Sequence, residues 1–263
     1  MPEHNSKESY IKEIKNQVDN YEQTVFALLA FANHARWDEE YQTYIPESQF
    51  SIGRRMSPEK GDTVTPDLVV QRTQVYGLIV EAKKTFPKEK NYWIDTLKQL
   101  KRYDGKLKGW FTNDEFIDTS DLVLMIHYPR APAITEYIEE RCREGELSFQ
   151  NNFSIVSFVI EEKLYFINLE KRYGEIYDKY INDSLKNICR FPMEKLLCEK
   201  RREIKFYDDE PPMPYLLQIL WHDVFSNMKE DYPEDYPFDH ERRCTPIPIN
   251  VKDLTEILQK YYG

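Results

Sequence analysis

The sequence predicts an α/β fold in which helices flank a mixed central sheet and cover both of its faces. From residue 1 to about residue 170, the apolar pattern runs helix, strands, helix, strand. This order of elements is typical of a layered α/β domain. The chain has 263 residues, of which 41% are hydrophobic and 31% charged. That length and composition suit one large domain, or a core domain with a small appendage.

The first predicted helix covers residues 8–35. Its apolar side chains recur every three or four residues, as one buried face of a helix requires. This stripe consists of Ile11, Ile14, Val18, Tyr21, Val25, Leu28 and Leu29. Glu22 lies beside it, so its carboxylate is either solvated or turned toward a bound metal. Periodicity alone favours the solvated position.

Two apolar runs at residues 68–71 and 75–80 predict a pair of strands. Short β-like pieces precede them within residues 40–54, followed by a polar loop at residues 54–63. Because the turn between the two runs is short, we expect them to pair as an antiparallel hairpin.

The next elements alternate between helix and strand. Residues 92–103 have the pattern of an amphipathic helix, and residues 134–142 that of another helix. Residues 122–126 are entirely apolar, as in a buried strand. A second hairpin is predicted from the runs at residues 153–160 and 163–169.

The composition changes after Lys171, so we predict a core domain over residues 1–175 and a mainly helical appendage over residues 176–263. Helices are expected at residues 176–206, 215–228 and 251–262. A short extended piece at residues 245–249 precedes the last of them. The order helix, extended piece, helix fits part of a winged-helix module, and a simple helical appendage fits at least as well.

Charge is distributed unevenly along the chain. The net charge of −10 argues against nonspecific coating of DNA, because phosphate contacts rely on lysine and arginine. Residues 81–108, however, contain nine basic and four acidic residues. Residues 207–240 contain nine acidic residues and one lysine. The basic segment is therefore the one expected to face a nucleic acid, and the acidic segment either guards a cleft or contacts a basic partner.

Chemistry-bearing residues concentrate in the basic segment and the hairpin before it. Asp67 follows Pro66 at the start of one strand, and Glu81 and Lys83 lie near the end of its neighbour. Alternation along a strand puts Glu81 and Lys83 on the same side and turns Ala82 into the core. Carboxylate oxygens are the ligands that Mg²⁺ prefers, and a bound Mg²⁺ activates water and stabilises negative charge. A lysine beside two carboxylates should stay protonated, which suits orienting water better than abstracting its proton.

Gln99 and Tyr103 are four residues apart on the following helix and therefore share one face. Together, P-D, E-x-K and Q-x-x-x-Y resemble the PD-(D/E)xK nuclease superfamily, in the branch with a Q-x-x-x-Y motif. The resemblance covers residues 1 to about 170 and implies a restriction-endonuclease-like core.

The resemblance also implies roles for individual residues. Asp67 and Glu81 would bind Mg²⁺ or Mn²⁺, with the carbonyl of Ala82 as an extra ligand, and Lys83 would position the attacking water. Gln99 and Tyr103 would support the substrate or a catalytic residue. An acid on the first helix would complete the site, and Glu22 matches best; the alternatives are Glu13 and Glu47.

The expected function is hydrolysis of DNA phosphodiester bonds by a metal-dependent nuclease. It would act alone, as a homodimer or with a protein partner in a defence, restriction or transposition system. The alternative is a non-catalytic nucleic-acid-binding or assembly subunit that keeps the nuclease fold. The net charge of −10 favours this alternative. Alanine substitutions of the motif lysine and aspartate would separate these readings, through hydrolysis and metal binding.

Other candidate sites are weaker. The four cysteines are widely spaced, which argues against a zinc site, and no Ser-His-Asp, Cys-His or Gly-rich phosphate motif is readable. His127 is expected to be a core histidine or to line the cleft, and His34 is isolated in the sequence. Tyr92, Trp93 and Trp110 either pack in the core or stack on bases. With no apolar run long enough for a bilayer and no leader, a cytoplasmic protein without membrane contact is expected.

Overall fold

The computed structural model describes residues 3–83, 90–111, 115–161, 165–200 and 212–219. The chain separates into two compact units, Met1–Pro211 and Pro212–Gly263. The described part of the second unit contains helix α6, Met213–Ile219.

The first unit alternates between strands and helices, as the sequence predicts. The strands are β1 Trp37–Asp38, β2 Thr43–Tyr44, β3 Gln49–Ile52, β4 Ser57–Pro58, β5 Leu68–Gln71, β6 Tyr76–Lys83, β7 Leu107–Lys108, β8 Thr119–His127, β9 Phe153–Glu161, β10 Phe166–Gly174 and β11 Cys189–Pro192. The helices are α1 Glu3–Arg36, α2 Lys90–Tyr103, α3 Ala131–Arg143, α4 Lys179–Ser184 and α5 Met193–Lys200, with a single 3₁₀ turn at Tyr128–Arg130.

Within the described residues, one mixed sheet of seven strands organises the first unit. Its order is β11-β10-β9-β8-β6-β5-β3, and two-stranded pairs β1-β2 and β4-β7 lie outside it. The central strands β6, β8 and β9 are parallel, and the strands toward both edges are antiparallel. Parallel strands buried on both faces carry continuous apolar runs, which the burial of Leu122–Ile126 shows. The prediction of an α/β fold is confirmed, and so is the hairpin of β5 and β6.

Alternating side chains give the sheet two apolar faces. One face packs with α2 and α3 in a single buried cluster that contains none of the residues of α1. Members of this cluster include Val69, Ile79, Leu100, Leu124, Ile134 and Ile155. The intervening residues, such as Val70 and Val80, are equally buried, and alternation turns them to the opposite face.

Helix α1 packs against β5, β6, β9 and β10 on that opposite face. Residues 25–32 of α1 are buried without interruption, although an amphipathic surface helix would bury only about three or four residues in every two turns. Helix α5 also packs against α1. The described layers are therefore α1, the sheet, and then α2 with α3.

The prediction of helix across residues 176–206 is wrong in its middle. Strand β11, Cys189–Pro192, separates α4 from α5 and pairs antiparallel with β10 at the edge of the sheet. Because β11 belongs to the central sheet, the compact unit continues to Pro211, beyond the predicted division between residues 175 and 176.

Several predictions for the C-terminal part lie outside the described residues. These are the end of the helix predicted at residues 215–228, most of the acidic segment 207–240, the extended piece at 245–249 and the helix at 251–262. Among the helices of the described ranges, none combines the length and apolar character needed to cross a bilayer.

Candidate active site

The β5–β6 hairpin brings Asp67 to the end of β6. Leu68 pairs with Val80, so the next pair outward is Asp67 opposite Glu81. The Oδ2 atom of Asp67 accepts a hydrogen bond of 2.7 Å from the backbone N–H of Ala82. This contact fixes the Asp67 carboxylate beside Glu81, as the hairpin predicts.

Glu81 and Lys83 form an ion pair on the α2 face of the sheet. Lys83 Nζ lies 2.5 Å from Glu81 Oε1. The side chain of Glu81 is only 1% exposed, whereas that of Lys83 is 18% exposed. A carboxylate this deeply buried needs charged or hydrogen-bonding partners, because desolvation of an unpaired charge costs several kcal/mol, to order of magnitude.

Lys83 is protonated in this arrangement. Burial lowers its pKa, but the attraction of Glu81 and then Asp67 outweighs burial and leaves the pKa above its ordinary value. The expectation that this lysine stays charged beside the two carboxylates agrees with that direction. An ammonium group held this way can donate hydrogen bonds, and it is a poor general base.

The helix motif supplies the second partner of Glu81. Gln99 Nε2 donates to the hydroxyl of Tyr103 at 2.9 Å, and that hydroxyl donates to Glu81 Oε2 at 3.1 Å. Burial and then the charge of Glu81 raise the pKa of Tyr103 above its ordinary value, so the phenol is a neutral donor. Tyr103 therefore contacts Glu81 directly, and Gln99 acts on Glu81 through Tyr103.

Ala82 is buried, as its position between Glu81 and Lys83 predicts. Its side chain lies on the α1 face, which leaves the α2 face to the two charged neighbours. Its backbone N–H is held by Asp67. The chain thus positions the Ala82 peptide next to both carboxylates.

Glu22 lies on α1, the helix that covers the other face of the sheet. Glu22 is partly buried, and its role as a metal ligand stays a prediction.

The two alternatives to Glu22 are both exposed. Glu13 is nine residues farther toward the start of α1. Glu47 precedes β3, whose first residue Gln49 pairs with Gln71 at the far end of β5 from Asp67. The strand register therefore places Glu47 at the turn end of the hairpin.

The site offers oxygen ligands, the type of ligand that a hard divalent cation prefers. Asp67 and Glu81 provide carboxylate oxygens at adjacent strand ends, and the Ala82 carbonyl is a third oxygen in the same segment. Mg²⁺ commonly binds to one or two protein carboxylates and keeps several waters. Among the residues that the structure describes, no group of three or more His, Cys, Asp or Glu side chains is placed to hold a metal.

For two of the three aromatic residues, the structure shows packing against other side chains, which is one of the two predicted alternatives. Trp110 is buried and packs in the core, with its Nε1 donating to Leu107 O. Trp93 is partly buried and contacts the ring of Tyr137 edge-on at 5.0 Å. Tyr92 is exposed. His127 is partly exposed and lies 5.7 Å from the Phe158 ring.

Sequence reasoning missed a buried polar cluster at the turn end of the hairpin. Arg72, in the turn itself, is 2.7 Å from Asp178 and donates to the carbonyls of Ala35 and Trp37. His34 Nε2 is 2.7 Å from Ser184 Oγ. Burial, and then the charge of Arg72, lower the pKa of His34 to about 4, against an opposing effect of Asp178. The cluster is structural, since it ties α1 to the hairpin and to α4.

Only part of the predicted basic wall falls within the described side chains. Lys98, Lys101, Arg102, Lys106 and Lys108 are exposed on α2 and just beyond it. Lys98 and Lys101 are paired with Asp95 and Asp104. The lysines at positions 84 and 88 lie outside the described residues.

Comparisons with protein families, with curated proteins and with solved structures find no match to this chain. The geometry of the site therefore has to carry the functional argument.

Proposed function

We propose that this protein is a Mg²⁺- or Mn²⁺-dependent nuclease that hydrolyses DNA phosphodiester bonds, with a core like that of the restriction endonucleases. The observation that carries the proposal is the convergence of Asp67, Glu81 and Lys83 at the ends of β5 and β6. A buried carboxylate held by a lysine and a tyrosine is a costly arrangement that an ordinary strand end does not need.

The support for Glu81 extends to a second layer of residues. Tyr103 is buried and Gln99 half-buried, so both lie between the site and the core. Hydrogen bonds from supporting side chains fix the orientation of a carboxylate ligand. Asp67 is fixed in the same sense by the N–H of Ala82.

A divalent cation would be held by Asp67 and Glu81 together with the Ala82 carbonyl. When bound, it makes water nucleophilic and stabilises negative charge on the phosphate. The chain's own contribution is then to orient and to neutralise. The Lys83 ammonium can donate one hydrogen bond to the attacking water or to a phosphate oxygen while it keeps Glu81 as its partner. Attack of the water oxygen on phosphorus would break the bond to the leaving oxygen; the proton that the water loses passes to solvent, and solvent returns one to the leaving oxygen.

The basic helix supports DNA as the substrate. Arg102, Lys106 and Lys108 are exposed. They lie on or just after α2, the helix that carries Tyr103 and so borders Glu81. Phosphate contacts of this kind supply most of the affinity of proteins for DNA and make it dependent on salt.

The test is hydrolysis of single- and double-stranded DNA, linear and circular, with Mg²⁺, Mn²⁺ or EDTA. The variants are Lys83→Ala and a matched control, Lys98→Ala, whose lysine is exposed and paired with Asp95. We expect metal-dependent hydrolysis that is lost in Lys83→Ala and kept in Lys98→Ala. Absence of hydrolysis by the wild-type protein on every substrate, or equal rates for Lys83→Ala and wild type, would overturn the proposal.

A further inference from the structure

One row of residues crosses the sheet at the level of Lys83. The register pairs Lys83 with Ile126, Ile126 with Ser157, and Ser157 with Glu170. Paired residues on neighbouring strands point to the same face. Ser157 and Glu170 therefore lie on the face that carries Lys83, two and three strands away from it.

Arg172 is anchored at the far end of this row. Its Nε donates to Ser157 Oγ at 3.0 Å, and its Nη2 is 2.6 Å from Glu170 Oε2. Because Glu170 already balances its charge, Arg172 is a poor candidate for a phosphate contact. Its guanidinium plane is instead held in one position.

That guanidinium lies against the ring of Tyr128. The Cζ atom of Arg172 is 4.8 Å from the centroid of the Tyr128 ring. Tyr128 begins the 3₁₀ turn that directly follows β8, and it is 46% exposed. Because Arg172 lies over one face of the ring, a partner that stacks on Tyr128 would have to use the other face.

We propose that Tyr128, backed by Arg172, is a stacking site for an unpaired base, and that the substrate of the site at Lys83 is a single DNA strand. This inference rests on the proposed function and names its substrate class. Tyr128 contacts Arg172 above the Ser157–Glu170 end of the row. That end is about 10 to 14 Å from Lys83 at the usual strand spacing. A stacked strand rises about 3.4 Å per nucleotide, so the base on Tyr128 lies three to four nucleotides from the scissile phosphate.

The physical reason for strand selectivity is the exposed face of the base. In a duplex each base is covered by its neighbours, whereas a single strand can place a base on an aromatic ring. Tyr128 also has little side-chain freedom left to lose, because the cation–π contact with Arg172 already holds its ring.

The experiment measures binding of two fluorescein-labelled probes, a twelve-nucleotide oligo-dT and a twelve-base-pair duplex, by anisotropy in EDTA, where no hydrolysis is expected. Tyr128→Ala is compared with Tyr128→Phe, which keeps the ring. The control is Tyr177→Ala, whose tyrosine is also exposed, at 65%, and lies beside Tyr76 at the opposite end of β6.

We expect Tyr128→Ala to weaken single-strand binding roughly 5- to 100-fold, as loss of one stacked base implies, and to leave duplex binding unchanged. Tyr128→Phe and Tyr177→Ala should bind like the wild type. Wild-type affinity in Tyr128→Ala, equal losses for both probes, or no wild-type binding to the single strand would each overturn the inference.

These outcomes are separate from the test of the proposed function. Hydrolysis that is lost in Lys83→Ala but unchanged in Tyr128→Ala would support the nuclease proposal and contradict the stacking site. Single-strand binding that is lost in Tyr128→Ala, in a protein that hydrolyses no substrate, would support the stacking site and contradict the nuclease proposal.

Discussion

The hydroxyl of Tyr103 gives the sharpest test of how the site is built. Tyr103→Phe removes one oxygen atom and keeps the buried ring in place. Glu81 Oε2 then loses the donor at 3.1 Å, and Gln99 Nε2 loses its acceptor at 2.9 Å. Because Glu81 is almost completely buried, water cannot replace the missing donor without a rearrangement.

A hydrogen bond to a buried charged group contributes about 1.5 to 3 kcal/mol. We therefore expect Tyr103→Phe to lower the free energy of unfolding by about 2 kcal/mol, measured by urea denaturation. The same change should lower metal-dependent DNA hydrolysis about 10- to 100-fold, because a supporting contact orients the carboxylate ligand.

Tyr76→Phe is the matched control. Tyr76 begins β6, the strand that ends at Lys83, and its hydroxyl donates to the buried carboxylate of Asp121 at 2.6 Å. Asp121 keeps two other donors, Asn152 Nδ2 and the backbone N–H of Tyr177. This variant should lose stability of the same order without losing hydrolysis. Wild-type stability in Tyr103→Phe, or equal loss of hydrolysis in both variants, would refute the reasoning.

Three further predictions concern stability, each measured by urea denaturation. The pKa of His34 falls from 6.5 to about 4 on folding, so between these pH values His34 is protonated in the unfolded chain but not in the folded one. The free energy of unfolding therefore decreases as the pH falls from 6.5 to 4. The loss should approach about 3 kcal/mol and be absent in His34→Gln; an equal pH dependence in both proteins would contradict it. Arg72→Met should cost about 3 kcal/mol or more, because it removes the positive charge paired with Asp178 and the donor of two carbonyls. A cost below about 1 kcal/mol would exclude a structural role for the cluster. Gly77→Ala should cost at least about 1 to 3 kcal/mol through overpacking, since its Cβ would lie 2.2 Å from Trp110, and wild-type stability would show that Trp110 can move.

Local patterns were enough to predict most of the sheet and its helices. The predicted α1 stripe is buried from Tyr21 to Leu29, whereas Ile11 at its start is 55% exposed. The buried part of the stripe and the two hairpins, β5–β6 and β9–β10, depend on periodicity and short turns, which neighbouring residues determine. The register of the confirmed β5–β6 hairpin brings Asp67 to Glu81, because the two residues continue the Leu68–Val80 pairing.

Strand β11 could not be predicted in this way. Its four residues, Cys189–Pro192, include a proline and have no alternating pattern. It is a strand because β10 offers an edge to pair with, and a proline is tolerated at a sheet edge. The pairing partner lies more than fifteen residues away in the chain, so the local sequence carries little trace of it.

The cluster of Arg72 and His34 was missed for the same reason. His34 and Ser184 are 150 positions apart, and Arg72 and Asp178 are 106 apart. In the sequence His34 has no neighbour of complementary chemistry, and Arg72 reads as a solvated turn residue. Only the packing of α1 and α4 against the hairpin brings them together.

The most direct test of the central claim is the titration of Mn²⁺ into the wild-type protein and into Asp67→Asn by calorimetry. Asp95→Asn is the control, since Asp95 is an exposed carboxylate on α2 paired with Lys98. If the carboxylates at the ends of β5 and β6 hold a divalent cation, the wild-type protein and Asp95→Asn should each bind one Mn²⁺. Asp67→Asn should bind none. No binding by the wild-type protein, or unchanged affinity in Asp67→Asn, would contradict the account.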